Sequence, residues 1–161
     1  MWPDSECQAA PADQVQPRGE LAARTLAMPA DINPSGDIFG GWIMSLMDAA
    51  GAITATRLAE GRVVTAAVSN ISFLQPVKVG DVVCCYTDIV KIGRSSITLC
   101  VEIWVLRQGQ GSRVKVTAAE FVFVALDDNG RPRPIARIGA AAHAAEPPED
   151  QAAEAAVSAS G

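Results

Sequence analysis

A chain of 161 residues, 49% hydrophobic and 19% charged, has the length and balance of one globular domain. Its formal net charge of −5 does not favour nucleic acid, and the deficit sits in the ends: Glu20 to Arg137 carries 12 basic and 11 acidic side chains. No stretch approaches the ~20 apolar residues of a membrane span, and Met1-Trp2-Pro3-Asp4 lacks the basic start of a secretion signal, so the expected location is the cytoplasm.

In chain order, residues 1–19 are polar, hold Pro3, Pro11 and Pro17, and read as a loosely attached extension. Leu21 to Met28 is a short apolar segment that stops at Pro29. A loop of turn formers follows, with Asp31, Asn33, Pro34, Ser35, Gly36 and Asp37. From Gly41 to Ala59, the positions of Ile43, Leu46, Met47, Ala50 and Ile53 predict one long helix, closed by Gly61. The remainder predicts strands: Arg62 to Leu74, Val82 to Ile92, Ile97 to Leu106 and Val114 to Leu126. In the third of these, Ile97, Leu99, Val101, Ile103 and Val105 share one face, opposite Thr98 and Glu102. Short connections make the late strands antiparallel, which gives a β-α-β-β-β-β order of α+β class. The domain is expected to span 20–137, and residues 138–161 form an Ala/Glu-rich flexible tail. One helix cannot cover both faces of such a sheet, so apolar residues left on the outer face, Trp104 among them, predict at least a dimer.

The chemistry is constrained first by what is missing. The sole histidine, His143, lies in the tail, so a Ser-His or Cys-His pair has no base. Cys7, Cys84, Cys85 and Cys100 lack zinc-ligand spacing and read as small buried hydrophobes, neither metal ligands nor disulfides. A carboxylate is left to act. Asp48 is the candidate, because Met44, Ser45, Gly51 and Ala52 lie three and four residues away on the same helical face. Such neighbours desolvate a carboxylate and leave room for a ligand; the alternative is a solvated aspartate on an exposed stripe. Before the helix, Asn33 to Gly41 ends in Gly40-Gly41, whose amides suit an oxyanion; the alternative there is an Asp37 helix cap with glycines that permit tight packing. Arg62, Lys78, Lys91, Arg94, Arg131 and Arg133 fall near strand ends, and Gly93-Arg94-Ser95-Ser96 combines a turn, a guanidinium and two hydroxyls suited to phosphate.

Taken together, Arg24-Thr25-Leu26-Ala27-Met28-Pro29, Asn33 through Gly41, Trp42-Ile43-Met44-Ser45 and Met47-Asp48 resemble the bacterial YciA-type acyl-CoA thioesterases. So do Gly61-Arg62-Val63-Val64-Thr65, Phe73-Leu74-Gln75-Pro76-Val77, Val79 through Tyr86 and Gly93 through Ser96. The resemblance covers roughly residues 20–135. It implies a hot-dog fold, in which a five-stranded antiparallel sheet wraps a central helix, and self-association as a homodimer and further as a trimer of dimers. It also implies hydrolysis of acyl-CoA to CoA and a carboxylic acid in fatty acid metabolism, at a dimer interface, with no cofactor; charge and hydropathy add the expectation of no nucleic-acid and no membrane partner. In that picture Asp48 is the general base or nucleophile, and Asp37 lies beside Gly40 and Gly41 facing the partner's carboxylate. Arg94, Ser95, Ser96, Arg62, Arg131 and Arg133 hold the CoA nucleotide, while Phe39, Met44, Met47 and Phe73 line an acyl tunnel. A dehydratase of the same fold would need a histidine in the site. A non-catalytic acyl-CoA sensor would bind without releasing thiol.

Overall fold

The computed structural model describes Cys7, residues 16–107 and residues 109–136. The predicted tail at 138–161, with His143, lies outside the described residues, as does the predicted extension apart from Cys7 and residues 16–19.

The elements are β1 (Glu20–Leu26), α1 (Gly40–Ala59), β2 (Val63–Phe73), β3 (Val82–Ile92), β4 (Ser96–Leu106) and β5 (Arg113–Ala125). A single 3-10 turn, Pro29–Asp31, precedes the helix. The five strands form one sheet in the order β1-β3-β4-β5-β2, with every pair antiparallel. Although β2 precedes β3 in the chain, it lies at the opposite edge, hydrogen-bonded among the described residues only to β5. That crossover gives β2 a free edge.

The inward face of β4 is the alternating row read from the sequence, and Ile97, Leu99, Val101, Ile103 and Val105 are all fully buried. With Phe121 and Phe123 of β5 they receive Ile43, Met47, Ala50, Ala55 and Ala59 of α1. Each buried aliphatic side chain of this size contributes about 1.5–3 kcal/mol, so this seam dominates the fold. Closest approach occurs at Gly51, where a Cβ would lie 2.7 Å from the Phe123 ring. The helix ends at Ala59, and Glu60 adopts a left-handed cap. Arg133 completes that end by donating from Nη2 to the Ala59 carbonyl (2.7 Å) and from Nε to the Leu126 carbonyl (3.2 Å).

The outer face differs from the sequence-based expectation. Trp104, Tyr86 and Cys84 form a buried cluster there within the single chain. Glu102, on the face opposite the apolar row, is fully buried; it accepts from Trp104 Nε1 (2.8 Å) and Lys115 Nζ (2.8 Å) and from the Arg18 amide. Burying this carboxylate is tolerable because its oxygens are satisfied by charged and neutral donors. Cys100, on the same face, is joined to Cys7 by a disulfide, which corrects the reading of all four cysteines as thiols. Spacing gave no hint of this pair because the two residues are separated by 93 positions and meet only in the folded chain. Cys84 and Cys85 are buried free thiols, as expected.

Exposed apolar surface lies elsewhere. It includes Val64, Val68 and Phe73 on β2, Phe39, Met44 and Ile53 on or next to α1, Leu21 and Leu26 on β1, and Ile89, Val90 and Ile92 on β3. The β2 edge and the helix stripe are thus part of the apolar surface left for a second copy, while the Trp104 cluster is already covered.

Candidate active site

Asp48 projects from the middle of α1 towards β2, where its Oδ1 accepts a hydrogen bond of 2.5 Å from Thr65 Oγ1. The carboxylate is half-buried, neither sealed in the core nor loose in solvent. Met44 and Ser45 on its face are exposed while Gly51 is buried, so the aspartate sits on the rim of the helix–sheet seam. Thr65 was absent from the sequence-based candidates. A threonine in a predicted strand is ordinary, and only tertiary packing aims its hydroxyl at the helix.

Gly40 and Gly41 open the helix, so their amides have no preceding i−4 carbonyl within it. An added Cβ on Gly41 would meet nothing within 4 Å, whereas one on Gly40 would crowd the Phe73 ring at 3.3 Å. Asp37 does not cap this helix: the N-cap is Phe39, which makes no side-chain cap hydrogen bond. Instead residues 32–38 form a small hairpin. Ile32 bridges Ile38, and Gly36 turns at φ +86°. The Asn33 Oδ1 accepts from the Ser35 amide (2.9 Å) and the Asp37 amide (3.2 Å), an Asx arrangement. Asp37 forms an ion pair with Lys78.

A cavity of about 350 Å³ lies beside this hairpin, with Asn33, Asp37 and Gly40 among its polar and glycine lining and Ile43, Phe73 and Val116 among its apolar lining. Of the four predicted tunnel residues only Phe73 lines it. Phe39 and Met44 are exposed, and Met47 is fully buried in the helix–sheet core.

The arginines divide. Backbone bonds from Leu126 to Arg62, Ala125 to Ser95 and Ile135 to Arg94 draw these positions to one end of the sheet, with the 127–131 turn carrying Arg131 beside them. Ser96 opens β4 at the same end. Among the described residues no acidic side chain pairs with Arg62, Arg94 or Arg131. Arg133 is the exception to the predicted set, since its guanidinium is engaged with the carbonyls of Ala59, Leu126 and Pro134 at the helix exit. Neither remaining thiol rivals Asp48: both are buried, and burial, reinforced by neighbouring Cys84, pushes the Cys85 thiol up to about 12. Among the described residues no cluster of His, Cys, Asp or Glu could hold a metal, and no helix is long and apolar enough to cross a membrane.

Residues 35–112 match the family model of the thioesterase superfamily. The acyl-CoA thioester hydrolase YciA of Salmonella typhimurium is 56% identical over 122 residues, which cover 74% of this chain and 92% of that protein. The chain belongs to the YciA-type acyl-CoA thioester hydrolases of the thioesterase superfamily. In three dimensions it is similar to a hexameric broad-specificity acyl-coenzyme A thioesterase solved with one aspartate replaced by alanine. That likeness has a TM-score of 0.73 and 55% identity over 76% of this chain and 90% of the other. More distant is the acyl-CoA hydrolase of Staphylococcus aureus, with 31% identity and a TM-score of 0.66 over 70% of this chain and 69% of the other. It has been solved with an asparagine, and separately an aspartate fifteen positions later, replaced by alanine. The helix wrapped by a five-stranded antiparallel sheet is the hot-dog fold that this family shares.

Proposed function

We propose that this protein hydrolyses acyl-CoA thioesters in a site shared by two protomers, with Asp48 as the acting carboxylate. The observation that carries the reading is the Asp48–Thr65 hydrogen bond at the free β2 edge. A carboxylate fixed next to an open strand edge and beside exposed apolar side chains is placed to meet a second copy.

The geometry of that meeting follows from β2. Pairing β2 antiparallel with its own copy about a two-fold axis near Ser69 sets Thr65 opposite the partner's end of the strand, around Phe73. Because Phe73 packs on Gly40, Asp48 of one protomer then faces the Gly40-Gly41 helix start and the Asn33 hairpin of the other. Within one chain, by contrast, Gly40 and Asp48 are separated by about 12 Å of helix rise. A single protomer therefore holds two half-sites rather than one whole site. The hexameric state of the solved relatives is in keeping with such dimers assembling three at a time.

In the complete site the thioester carbonyl oxygen accepts from the Gly40 and Gly41 amides, which offset the negative charge that develops as the carbonyl carbon becomes tetrahedral. Asp48 takes a proton from water as the water oxygen bonds to that carbon. The C–S bond then breaks, and the CoA thiolate leaves and is protonated. Direct attack by Asp48, giving a mixed anhydride that water cleaves, uses the same placement. Thr65 holds the carboxylate in one rotamer. Arg62, Arg94 and Arg131, with Ser95 and Ser96, form the surface offered to the CoA phosphates, and the 350 Å³ cavity takes the acyl group.

Asn33, not Asp37, is the better second polar group. Its separation of fifteen from Asp48 equals that of the asparagine and aspartate replaced in the staphylococcal hydrolase, and it lines the cavity. Co-expression of Asp48→Asn with Asn33→Ala tests the shared site. Random pairing restores one intact site in each mixed dimer, so activity should recover to about a quarter of wild type, from a low but measurable residual rate for either variant alone. If mixed preparations never exceed the two variants assayed apart, the site is confined to one protomer. If wild type releases no free thiol from any acyl-CoA, hydrolysis itself is refuted.

A further inference from the structure

We infer that Asp37 and Lys78 are positioning residues for Asn33: their ion pair clamps the hairpin so that the Asn33 carboxamide presents only its NH₂ to the thioester. This rests on the reading that Asn33 donates to substrate, and goes beyond it by assigning the two charged residues behind it.

The carboxamide has two ends with different chemistry, and the hairpin consumes one of them. Asn33 Oδ1 accepts from two backbone amides, Ser35 and Asp37, which fills both lone-pair directions. Only the Nδ2 hydrogens remain for a ligand. A backbone amide can only donate, so the orientation is dictated chemically. The backbone repeats the attachment: the Asn33 amide donates to the Asp37 carbonyl (2.6 Å), and the Gly36 amide donates to the Asn33 carbonyl (2.9 Å). Asp37 is thus the residue through which the hairpin grips Asn33.

Asp37 is in turn held from outside the hairpin. Its carboxylate pairs with Lys78, while the next residue, Ile38, donates its amide to the Val77 carbonyl (3.0 Å). Two successive hairpin residues are therefore tied to two successive residues of the β2–β3 connection. That connection is rigid at this point. The Lys78 amide donates to Asp81 Oδ2 (2.9 Å), Asp81 is buried and paired with Arg107, and the Asp81 carbonyl accepts from the Ala27 amide (3.0 Å). A path of short contacts leads from the core-anchored Asp81 through Lys78 and Asp37 to Asn33. Asp37 needs no contact with substrate for this role, and as a carboxylate beside the thioester oxygen it would oppose the charge that develops there.

The ion pair is partly exposed, with 53% of the Lys78 and 29% of the Asp37 side chain accessible, so its contribution is modest. Lys78→Met and Asp37→Asn should each lower kcat about two- to five-fold with KM nearly constant, and Lys78→Arg should restore most of it. The decisive measurement is a double-mutant cycle. If the pair acts through Asn33, Lys78→Met costs nothing further in an Asn33→Ala background. An equal fold-loss in both backgrounds overturns the inference, as does an unchanged kcat for both single variants with the ion pair removed. Should Asn33→Ala alone keep full turnover, the assignment of Asn33 falls first, and the two failures are distinguishable. Melting temperature and oligomer size, followed in parallel, should match wild type in each case, because the backbone bonds of the hairpin stay in place.

Discussion

Replacing Gly51 by alanine tests whether the helix–sheet seam is as close as it looks and whether catalysis depends on it. A Cβ there would sit 2.7 and 2.8 Å from two Phe123 ring carbons and 3.6 Å from Val101 Cγ2. Phe123 is fully buried and stacks near Phe121, with ring centroids 6.2 Å apart, so the ring has nowhere free to go. Two effects compete. Alanine favours a helix interior over glycine by about 1 kcal/mol, whereas overpacking a closed core costs about 1–3 kcal/mol. Two contacts inside 3 Å against buried carbon put this site at the upper end, leaving a net loss of about 2 kcal/mol. For a domain of this size that lowers the melting midpoint by roughly 5–10 °C. The easiest relief is to lift α1 off the sheet, and Gly51 lies one turn beyond Asp48. The Asp48–Thr65 hydrogen bond would then lengthen and kcat should fall with stability. Adding Phe123→Leu opens space under the new methyl, so the double variant should lose less than the two single losses added together. Thermal melts and steady-state thiol release on the four proteins complete the test. If Gly51→Ala matches or exceeds wild-type stability, the seam is looser than described and the coupling to Asp48 has no basis.

Thr65→Val keeps the shape and removes the donor; loss of this hydrogen bond to a half-buried charged acceptor should cut kcat about 5- to 15-fold, with Thr65→Ser recovering most of it. Charge reversal at Arg94 should raise KM for acyl-CoA while leaving turnover of a thioester truncated before the nucleotide unchanged, whereas equal effects on both substrates would place Arg94 outside nucleotide binding. Cys7→Ser removes a cross-link spanning 93 positions, which by loop-closure entropy stabilises by up to about 4.6 kcal/mol. Denaturant melts of the variant and of reduced wild type should therefore coincide at a lower midpoint. Before reduction, native wild type should show no thiol reactive at neutral pH, because burial keeps Cys85 protonated and hides Cys84.

Element identity was legible in the sequence because it depends on local period. The 3.6-residue spacing that places Ile43, Met47 and Ala50 and the twofold alternation from Ile97 to Val105 each set which side chains face inward, although Ile53, read with that helical set, is exposed. The end of the helix was legible for the same reason, as Gly61 follows the last apolar turn. Asp48 stood out through absence: with no histidine and no thiol cluster in the domain, few other groups could act on a thioester.

What tertiary structure alone decided depends on distance between remote segments. Strand order is one case: nothing local says that β2 skips β3 to pair with β5, and that choice creates the free edge. The partners of Asp37 and Arg133 are another: Lys78 for one and the Ala59 carbonyl for the other. Likewise packing set Thr65 against Asp48 and closed Met47 into the core, and Cys7 found Cys100 across most of the domain. Periodicity reports which way a residue faces. What it meets there is set by chain segments that no spacing rule connects.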